Sequence, residues 1–202
     1  EYIKIDKNGN ELVDSAKNWS CVKVKKTGLI WEVKTKDNGI HNMYKKYRWG
    51  GITSTGKGGK RYSDWDVLIN ESNNNSFCGL GNWRAPSKDE LERLADRSKA
   101  YKPGRKPTIN TKYFPNTLYT VYWSGSDVYD EASTWYLTRA YHISFEHSYH
   151  GNNPRNFSEP LRIVSKVKTK TVTVKLVGIN LILRTRNEYG KNKQFKKKDY
   201  HG

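Results

Sequence analysis

Residues 81–96 read GNWRAPSKDELERLAD, and the second half of that stretch is a well-made helix start. Ser87 is a preferred N-cap residue, and Glu90 stands three positions later, as a capping box requires. Leu91, Leu94 and Ala95 then share one helical face, so the spacing predicts a helix from Lys88 to about Arg97. The first half, Asn82-Trp83-Arg84-Ala85-Pro86, carries no helix signal. Its purpose has to be read from the rest of the chain.

Working outward, Ser63 with Asp66 starts a second short helix whose Trp65, Leu68 and Ile69 share a face. The Asn-rich run NESNNNS (70–76) is expected to end it. Upstream, YIKIDKNGNEL (2–12) alternates like a strand and then reaches Asn8-Gly9-Asn10, a tight-turn signal. WSCVKVKKTGLIWEVK (19–34) repeats the form: strand, Thr27-Gly28 turn, strand over Leu29–Lys34. A long polar, Gly-rich loop follows over residues 35–62, with Tyr44, Tyr47, Trp49 and Tyr62 along it. Downstream come short β-like pieces, YTVYWSGS (119–126), STWYLTRAYHISFEH (133–147) and LRIVSKV (161–167). Two short helices in a loop-rich antiparallel framework make an α+β domain over residues 1–165. Residues 166–202 are expected to form a basic β-strand and mobile tail. There Val172, Val174 and Leu176 alternate with Thr and Lys, Gly178 interrupts, and Ile179, Leu181 and Leu183 resume.

Only 35% of the 202 residues are hydrophobic, but 13% are aromatic, so a few large rings must build the core. Lys and Arg outnumber Asp and Glu by 37 to 20, a net charge of +17. More than half of that excess lies in residues 166–202, which hold 11 basic and 2 acidic residues. Such a balance favours polyanionic partners and says nothing of fold. Cys21 and Cys78 are the only cysteines. In an exported protein they would pair, closing a long loop worth about 4 kcal/mol; in a cytosolic one they would be two buried thiols. With His41 they are too few and too widely spaced for zinc. The longest mostly apolar run, LVGINLIL (176–183), falls short of the roughly 20 residues that cross a membrane. The chain begins at Glu1 without Met, as a mature protein or an excised fragment would, and export stays open.

STGKGGK (54–60) has the look of a phosphate loop, but it lacks the Gly-x4-Gly-Lys-Ser/Thr spacing and no apolar strand feeds it. A different resemblance covers most of the chain. NGNEL…WSCVKVKKTGLIWEVKT, NWRAPSKDELERLAD, YFPNT…YWSGS…STWYL and LRIVS stand in one order. That order resembles the Lcl C-terminal domain family of bacterial exported proteins, which includes the tip of a collagen-stalked adhesin. The likeness spans roughly Tyr2–Ser165. It implies a C-type-lectin-like fold and a disulfide between Cys21 and Cys78. It also implies that NWRAP is a structural corner, with Trp83 in the core, Arg84 satisfying carbonyls or a carboxylate, and Pro86 stopping the strand before the Ser87 cap. Trp31, Trp123 and Arg162 carry over as scaffold with Trp83, Arg84 and Pro86; none carries over as a catalyst. Two features depart from the pattern. The chain continues beyond the closing strand, and it contains no collagen-like Gly-x-y repeat.

Catalysis finds little support. Ser124 in WSGSD with Asp127 and a histidine is the only triad to be imagined, and it lacks the Gly-x-Ser-x-Gly elbow. No cofactor is called for. Calcium has one candidate loop, Asp127, Asp130 and Glu131, which reads more simply as a solvated acidic loop because calcium needs six to eight oxygens. Sulfated polysaccharide suits the composition better, since Lys and Arg grip sulfates through charge-assisted hydrogen bonds. Three basic clusters are available. Arg97, Lys99, Lys102, Arg105, Lys106 and Lys112 make the first, beside Tyr101. Lys45, Lys46, Arg48, Lys57, Lys60 and Arg61 make the second, beside Tyr47 and Tyr62. Lys191, Lys193 and Lys196–Lys198 make the third. Nucleic acid is the charge-based rival, but no helix-turn-helix, RNA-recognition or zinc module is visible.

YHISFEHSYHGNNPRNFSEP (141–160) offers a secondary ligand face through Tyr141, His142, His147, Tyr149, His150 and Arg155. Its plain alternative is a polar β-hairpin with nothing to recognise. The expectation is therefore a non-enzymatic, disulfide-stapled adhesin domain, secreted or at a bacterial surface. It would bind sulfated glycosaminoglycans or similar host-matrix polyanions. Resemblance to the collagen-stalked adhesin implies a homo-trimer whose weak contacts gain by avidity.

Overall fold

The computed structural model describes residues 1–53, 60–100, 104, 106–128 and 138–167, and its main unit runs from Glu1 to Lys166. The expected tail strand, residues 168–202, lies outside the described residues.

Both N-terminal hairpins form where the turn signals put them. β1 (Tyr2–Ile5) turns through Gly9, at φ +94°, into β2 (Glu11–Leu12). The Asp6 carboxylate holds that turn by accepting from the backbone N–H of Asn8 and of Asn10, each at 2.9 Å. β3 (Cys21–Val24) turns through Gly28, at φ +69°, into β4 (Leu29–Glu32). The last strand of the unit, later in sequence, pairs antiparallel with β4, setting Trp31 opposite Val164 and Leu29 opposite Lys166.

α1 spans Asp66–Asn74 and ends inside the Asn-rich stretch that was expected to end it. Two side chains carry it that far. Ser72 turns inward and donates to the Leu68 carbonyl at 2.6 Å. Asn73 brackets Trp83, accepting from its backbone N–H at 2.6 Å and donating to its carbonyl at 3.1 Å. The Ser63 side chain makes no cap; its carbonyl accepts from Asp66 N–H at 3.0 Å.

α2 begins at Lys88 with the full capping box, Ser87 Oγ accepting from Glu90 N–H at 3.2 Å and Glu90 from Ser87 N–H at 2.9 Å. It ends at Glu92, sooner than the spacing implied. Leu94 and Ala95 tighten to three-residue bonds on Leu91 and Glu92, both 3.1 Å, and Asp96 N–H leaves for the Thr108 carbonyl at 2.7 Å. A single 3₁₀ turn, Arg97–Lys99, follows with Asp96 as its cap.

β5 (Val121–Asp127), β6 (Arg139–Ser144) and β7 (Tyr149–Pro154) form a three-stranded antiparallel sheet, with a register break in β5 between Trp123 and Asp127. β8 (Val164–Lys166) completes the other sheet, whose order is β2-β1-β3-β4-β8. The architecture is α+β, with two short α-helices and two antiparallel sheets among the described residues. The stretch 141–160 is in large part the β6–β7 hairpin.

The NWRAP segment covers the outer edge of β8. Arg84 N–H donates to Val164 O at 3.0 Å and Val164 N–H to Arg84 O at 2.9 Å, while the Asn82 amide donates to Lys166 O at 2.8 Å. Trp83 is buried and donates from Nε1 to Phe77 O at 2.9 Å. The Arg84 fork grips Glu90 with two 2.7 Å bonds, so the carboxylate that completes the helix cap also anchors the corner. An unpaired edge strand is a template for wrong pairing; the corner removes it.

Side chains alternate between two apolar clusters. Cys21, Ile30, Trp49, Trp65, Trp83, Trp123 and Ile163 belong to one, and Val22, Trp31, Leu91, Phe114, Tyr122, Ile143 and Val164 to the other. Period-two alternation makes β3, β4 and β8 bury both faces. Cys21 and Cys78, 57 positions apart, are joined by a disulfide. Beside it the turns pack backbone to backbone: a Cβ on Gly9 would sit 2.8 Å from Cys78 O, and one on Gly79 would sit 2.9 Å from Asn8 O.

Candidate functional site

The segment around Arg48 alternates buried and exposed residues. Tyr47 exchanges backbone bonds with Glu159 at 2.9 and 3.0 Å, and Trp49 N–H donates to Arg155 O at 2.9 Å. Tyr47 and Trp49 therefore point inward, and Lys46 and Arg48 outward. Inside, Trp123 Nε1 donates to Tyr47 O at 2.8 Å and Trp49 Nε1 to Ser124 O at 2.9 Å, so two indoles pin the segment. Tyr62 N–H then bonds Trp49 O at 3.0 Å, which brings Tyr62 beside Arg48.

This arrangement brings Arg48 and Lys60 of the second basic cluster to one ring. The Arg48 guanidinium lies 4.3 Å from the Tyr62 ring centre and forks Asp64 with two 2.7 Å bonds. Lys60 Nζ lies 5.0 Å from the same ring, and Arg61 pairs with Asp66 at 2.5 Å. Lys45 and Lys46 are exposed and make no ion pair among the described residues. Burial pushes the Glu159 carboxyl up, while Lys46 beside it pulls the other way. Lys60, Tyr62, Thr138, Pro154, Arg155 and Asn156 line a cleft of about 330 Å³ at one side. Lys57 lies outside the described residues. A cation-rimmed aromatic surface of this kind suits an anion carried on a flat apolar body.

The first cluster is dispersed among the supports of the fold. Arg97 pairs with Glu92 at 2.7 Å, Lys99 donates to Ile109 O at 2.9 Å, and Lys112 pairs with Asp14 at 2.5 Å. Only Lys106 among its described members is exposed without an ion pair; Lys102 and Arg105 lie outside the described residues. The third cluster and Tyr101 lie outside them too.

The β6–β7 hairpin divides its six candidate residues. His142 is buried and crowds Gly151, where a Cβ would lie 2.6 Å from its Nε2. Burial pushes this imidazole down to about 4, with Arg139 and His150 adding to the effect, so it is neutral at neutral pH. Arg155 is also buried, its guanidinium 4.3 Å from the Trp49 ring centre. These two are scaffold, drawn inward because the alternate face of the sheet packs on Trp123 and Trp49. The other four are at least partly exposed. His147 and Tyr149 lie parallel at 5.9 Å, His150 stands 3.6 Å from Glu92, and Tyr141 lies under Lys88 Nζ at 5.1 Å.

Ser124 is buried, donating to Tyr141 O at 2.9 Å and accepting from Ser126 N–H at 3.2 Å, which makes it a backbone bridge. Among the described residues no group of three His, Cys, Asp or Glu side chains is placed to hold a metal ion. Asp130 and Glu131 of the candidate calcium loop lie outside the described residues. No described helix is long and apolar enough to cross a membrane.

Sequence reasoning missed a buried ionic network. Glu32 and Lys34 are both fully buried and bond at 2.8 Å. Glu32 also accepts from His41 Nδ1 at 2.8 Å and from Ile163 N–H at 3.0 Å. Burial would raise the Glu32 carboxyl, yet Lys34 and His41 outweigh it and hold it at about 2. Lys34 has Glu32 as its side-chain partner, and burial pulls its ammonium down. Buried Arg162 closes the group, donating to Glu32 O at 2.5 Å and to Thr117 Oγ1 at 2.8 Å. The available signal was Trp31-Glu32-Val33-Lys34, two opposite charges two apart at the end of an otherwise apolar strand, on the same face.

Residues 20–165 match the family model described as the Lcl C-terminal domain. No curated protein and no solved structure matches the chain.

Proposed function

The chain belongs to the Lcl C-terminal domain family, and from that premise we propose that it is the polyanion-binding domain of a bacterial surface adhesin with a C-type-lectin-like fold. Its ligands are sulfated glycosaminoglycans or similar matrix polyanions. The observation that carries this reading is the gathering of Arg48 and Lys60 around Tyr62, with Arg61 next to it in sequence and the exposed Lys45 and Lys46 on the segment that leads into Arg48. Arg48 and Arg61 are partly neutralised by Asp64 and Asp66 and act mainly to set Tyr62 and its neighbours. Lys45, Lys46 and Lys60 supply the charge that a sulfate meets. The family and the disulfide support a secreted or surface location, where cystines persist. Chemistry on the ligand is not part of this reading; the residues bind. Assembly as a trimer would raise the avidity of such contacts.

A second reading has one observation in its favour: His147, Tyr149 and His150 project from the hairpin tip and its edge, a surface suited to a protein ligand. Binding to heparin and to its unsulfated backbone across a salt series decides between them. The comparison uses the full chain, residues 1–166, and the Lys45→Glu, Lys46→Glu, Lys60→Glu variant. Sulfate-dependent binding that survives loss of the tail and weakens about tenfold or more in the variant is the expected result. Binding that disappears with the tail, or that is unchanged in the triple variant, removes the polyanion reading from this surface of the folded domain.

A further inference from the structure

A second cleft, of about 540 Å³, shares no lining residue with the first and falls within the size range of small-ligand sites. Its polar lining comes from Lys7, Asn8, Asp37, His41, Glu71 and Asn75, and Ile40 and Phe77 add an apolar patch. Three parts of the chain meet there: the β1–β2 turn, the loop after β4 and the end of α1. The Gly9–Gly79 backbone contact locks the β1–β2 turn to the turn after α1, which the Cys21–Cys78 disulfide ties in turn to β3. The loop wall is braced by Asp37, whose Oδ1 accepts from Thr35 Oγ1 at 2.9 Å and from Gly39 N–H at 2.8 Å.

His41 is the unusual member. Its ring stacks on Phe77 at 3.9 Å, and its Nδ1 meets the buried Glu32 carboxylate at 2.8 Å. An ionised carboxylate only accepts, so Nδ1 carries a proton, and in the tautomer with one ring proton Nε2 keeps its lone pair. No described residue satisfies Nε2, and the side chain is 15% exposed. A buried carboxylate that orients a histidine is the device by which ligand-binding imidazoles are aimed.

We infer that this cleft is a separate binding site for an uncharged saccharide unit, with His41 Nε2 as its central acceptor. Asp37, Glu71 and Nε2 accept from sugar hydroxyls, Lys7 and the amides of Asn8 and Asn75 donate to ring and hydroxyl oxygens, and Ile40 with the Phe77 edge meets the C–H face. Two carboxylates against one ammonium exclude a sulfated unit, which sets this cleft apart from the basic surface in ligand as well as in place. The inference does not depend on the polyanion reading.

The test is a titration of the isotope-labelled full chain with the methyl glycosides of glucose, galactose, mannose and N-acetylglucosamine, followed by NMR. The expected result is that at least one glycoside shifts the amides of Asn8, Gly39, Asn75 and Phe77 and the His41 ring. Glu71→Gln and Asn75→Ala, both at exposed positions, weaken that binding about fivefold each, the scale of one lost hydrogen bond. Heparin binding is unchanged in those two variants, and the Lys45→Glu, Lys46→Glu, Lys60→Glu variant keeps its glycoside shifts. The inference is overturned if none of the four glycosides perturbs these residues at millimolar concentration. Equal affinity in Glu71→Gln and Asn75→Ala overturns it too.

Discussion

At the residue scale, the decisive side chains are charged ones that the fold has taken inside. Lys4 is buried, with its ammonium 3.9 Å from the Trp19 ring centre and donating to the carbonyls of Asp14 and Ala16 at 2.7 Å each. Alternation placed Lys4 on a strand face; only the return of residues 14–19 over that face made it interior. Glu32 has a sharper consequence. Its folded carboxyl sits at about 2, below the ordinary 4.5, so the unfolded chain binds its proton more readily. The stability it contributes is therefore complete above pH 4.5 and is lost as pH falls through about 2. Glu32→Gln leaves Lys34 buried without a counter-charge and should cost about 3–5 kcal/mol at pH 7. The double variant Glu32→Gln, Lys34→Met should recover most of that loss. Urea midpoints at pH 7 and their slope between pH 4.5 and 2 check both; a single variant as stable as the parent would show that the pair is not a structural ion pair.

At the element scale, the start of α2 and its corner were legible in sequence, and so was α1 up to its last turn. Ser87 and Glu90 are three apart, so their bonds are local and any chain with that pattern can form them. Ser87→Ala should cost about 1 kcal/mol. Asn73 has no such local signal, because its partner is the backbone of Trp83, met only when the helix packs on the corner. Asn73→Ala strands a donor and an acceptor of Trp83 and should cost about 2–4 kcal/mol, at about 1–2 for each group. Chemical denaturation of the two variants gives the ranking, and the reverse order would show that the cap, not the bracket, holds the corner. The Asn-rich run reads as a helix breaker because asparagine competes for backbone bonds; here Ser72 and Asn73 satisfy that tendency with partners inside the fold.

At the scale of the whole molecule, β8 brings the end of the unit back to β4, and the disulfide ties β3 to the turn after α1. Both sulfurs are buried, so a reductant reaches them only through opening. Under native conditions cystine reduction should proceed no faster than unfolding, and the reduced protein should be about 2–5 kcal/mol less stable. Thiol labelling and thermal melts with and without reductant measure this; rapid reduction of the folded protein would contradict the burial. The two proposed surfaces also belong to this scale. Tyr62 meets Arg48, and Phe77 meets His41, only after distant segments have packed.

The amino-acid pattern by itself determined the hairpin turns, the helix cap, the α+β class and the family, since each rests on residues close in sequence or on motifs in a set order. Tertiary structure alone decided which charges are buried. It drew Arg155 and His142 inward, dispersed the cluster around Arg97 and set Glu32 behind His41. The reason is physical: a Lys or Arg has the same local preferences whether its partner is water, a carbonyl or a carboxylate, and the partner is chosen by packing at long range.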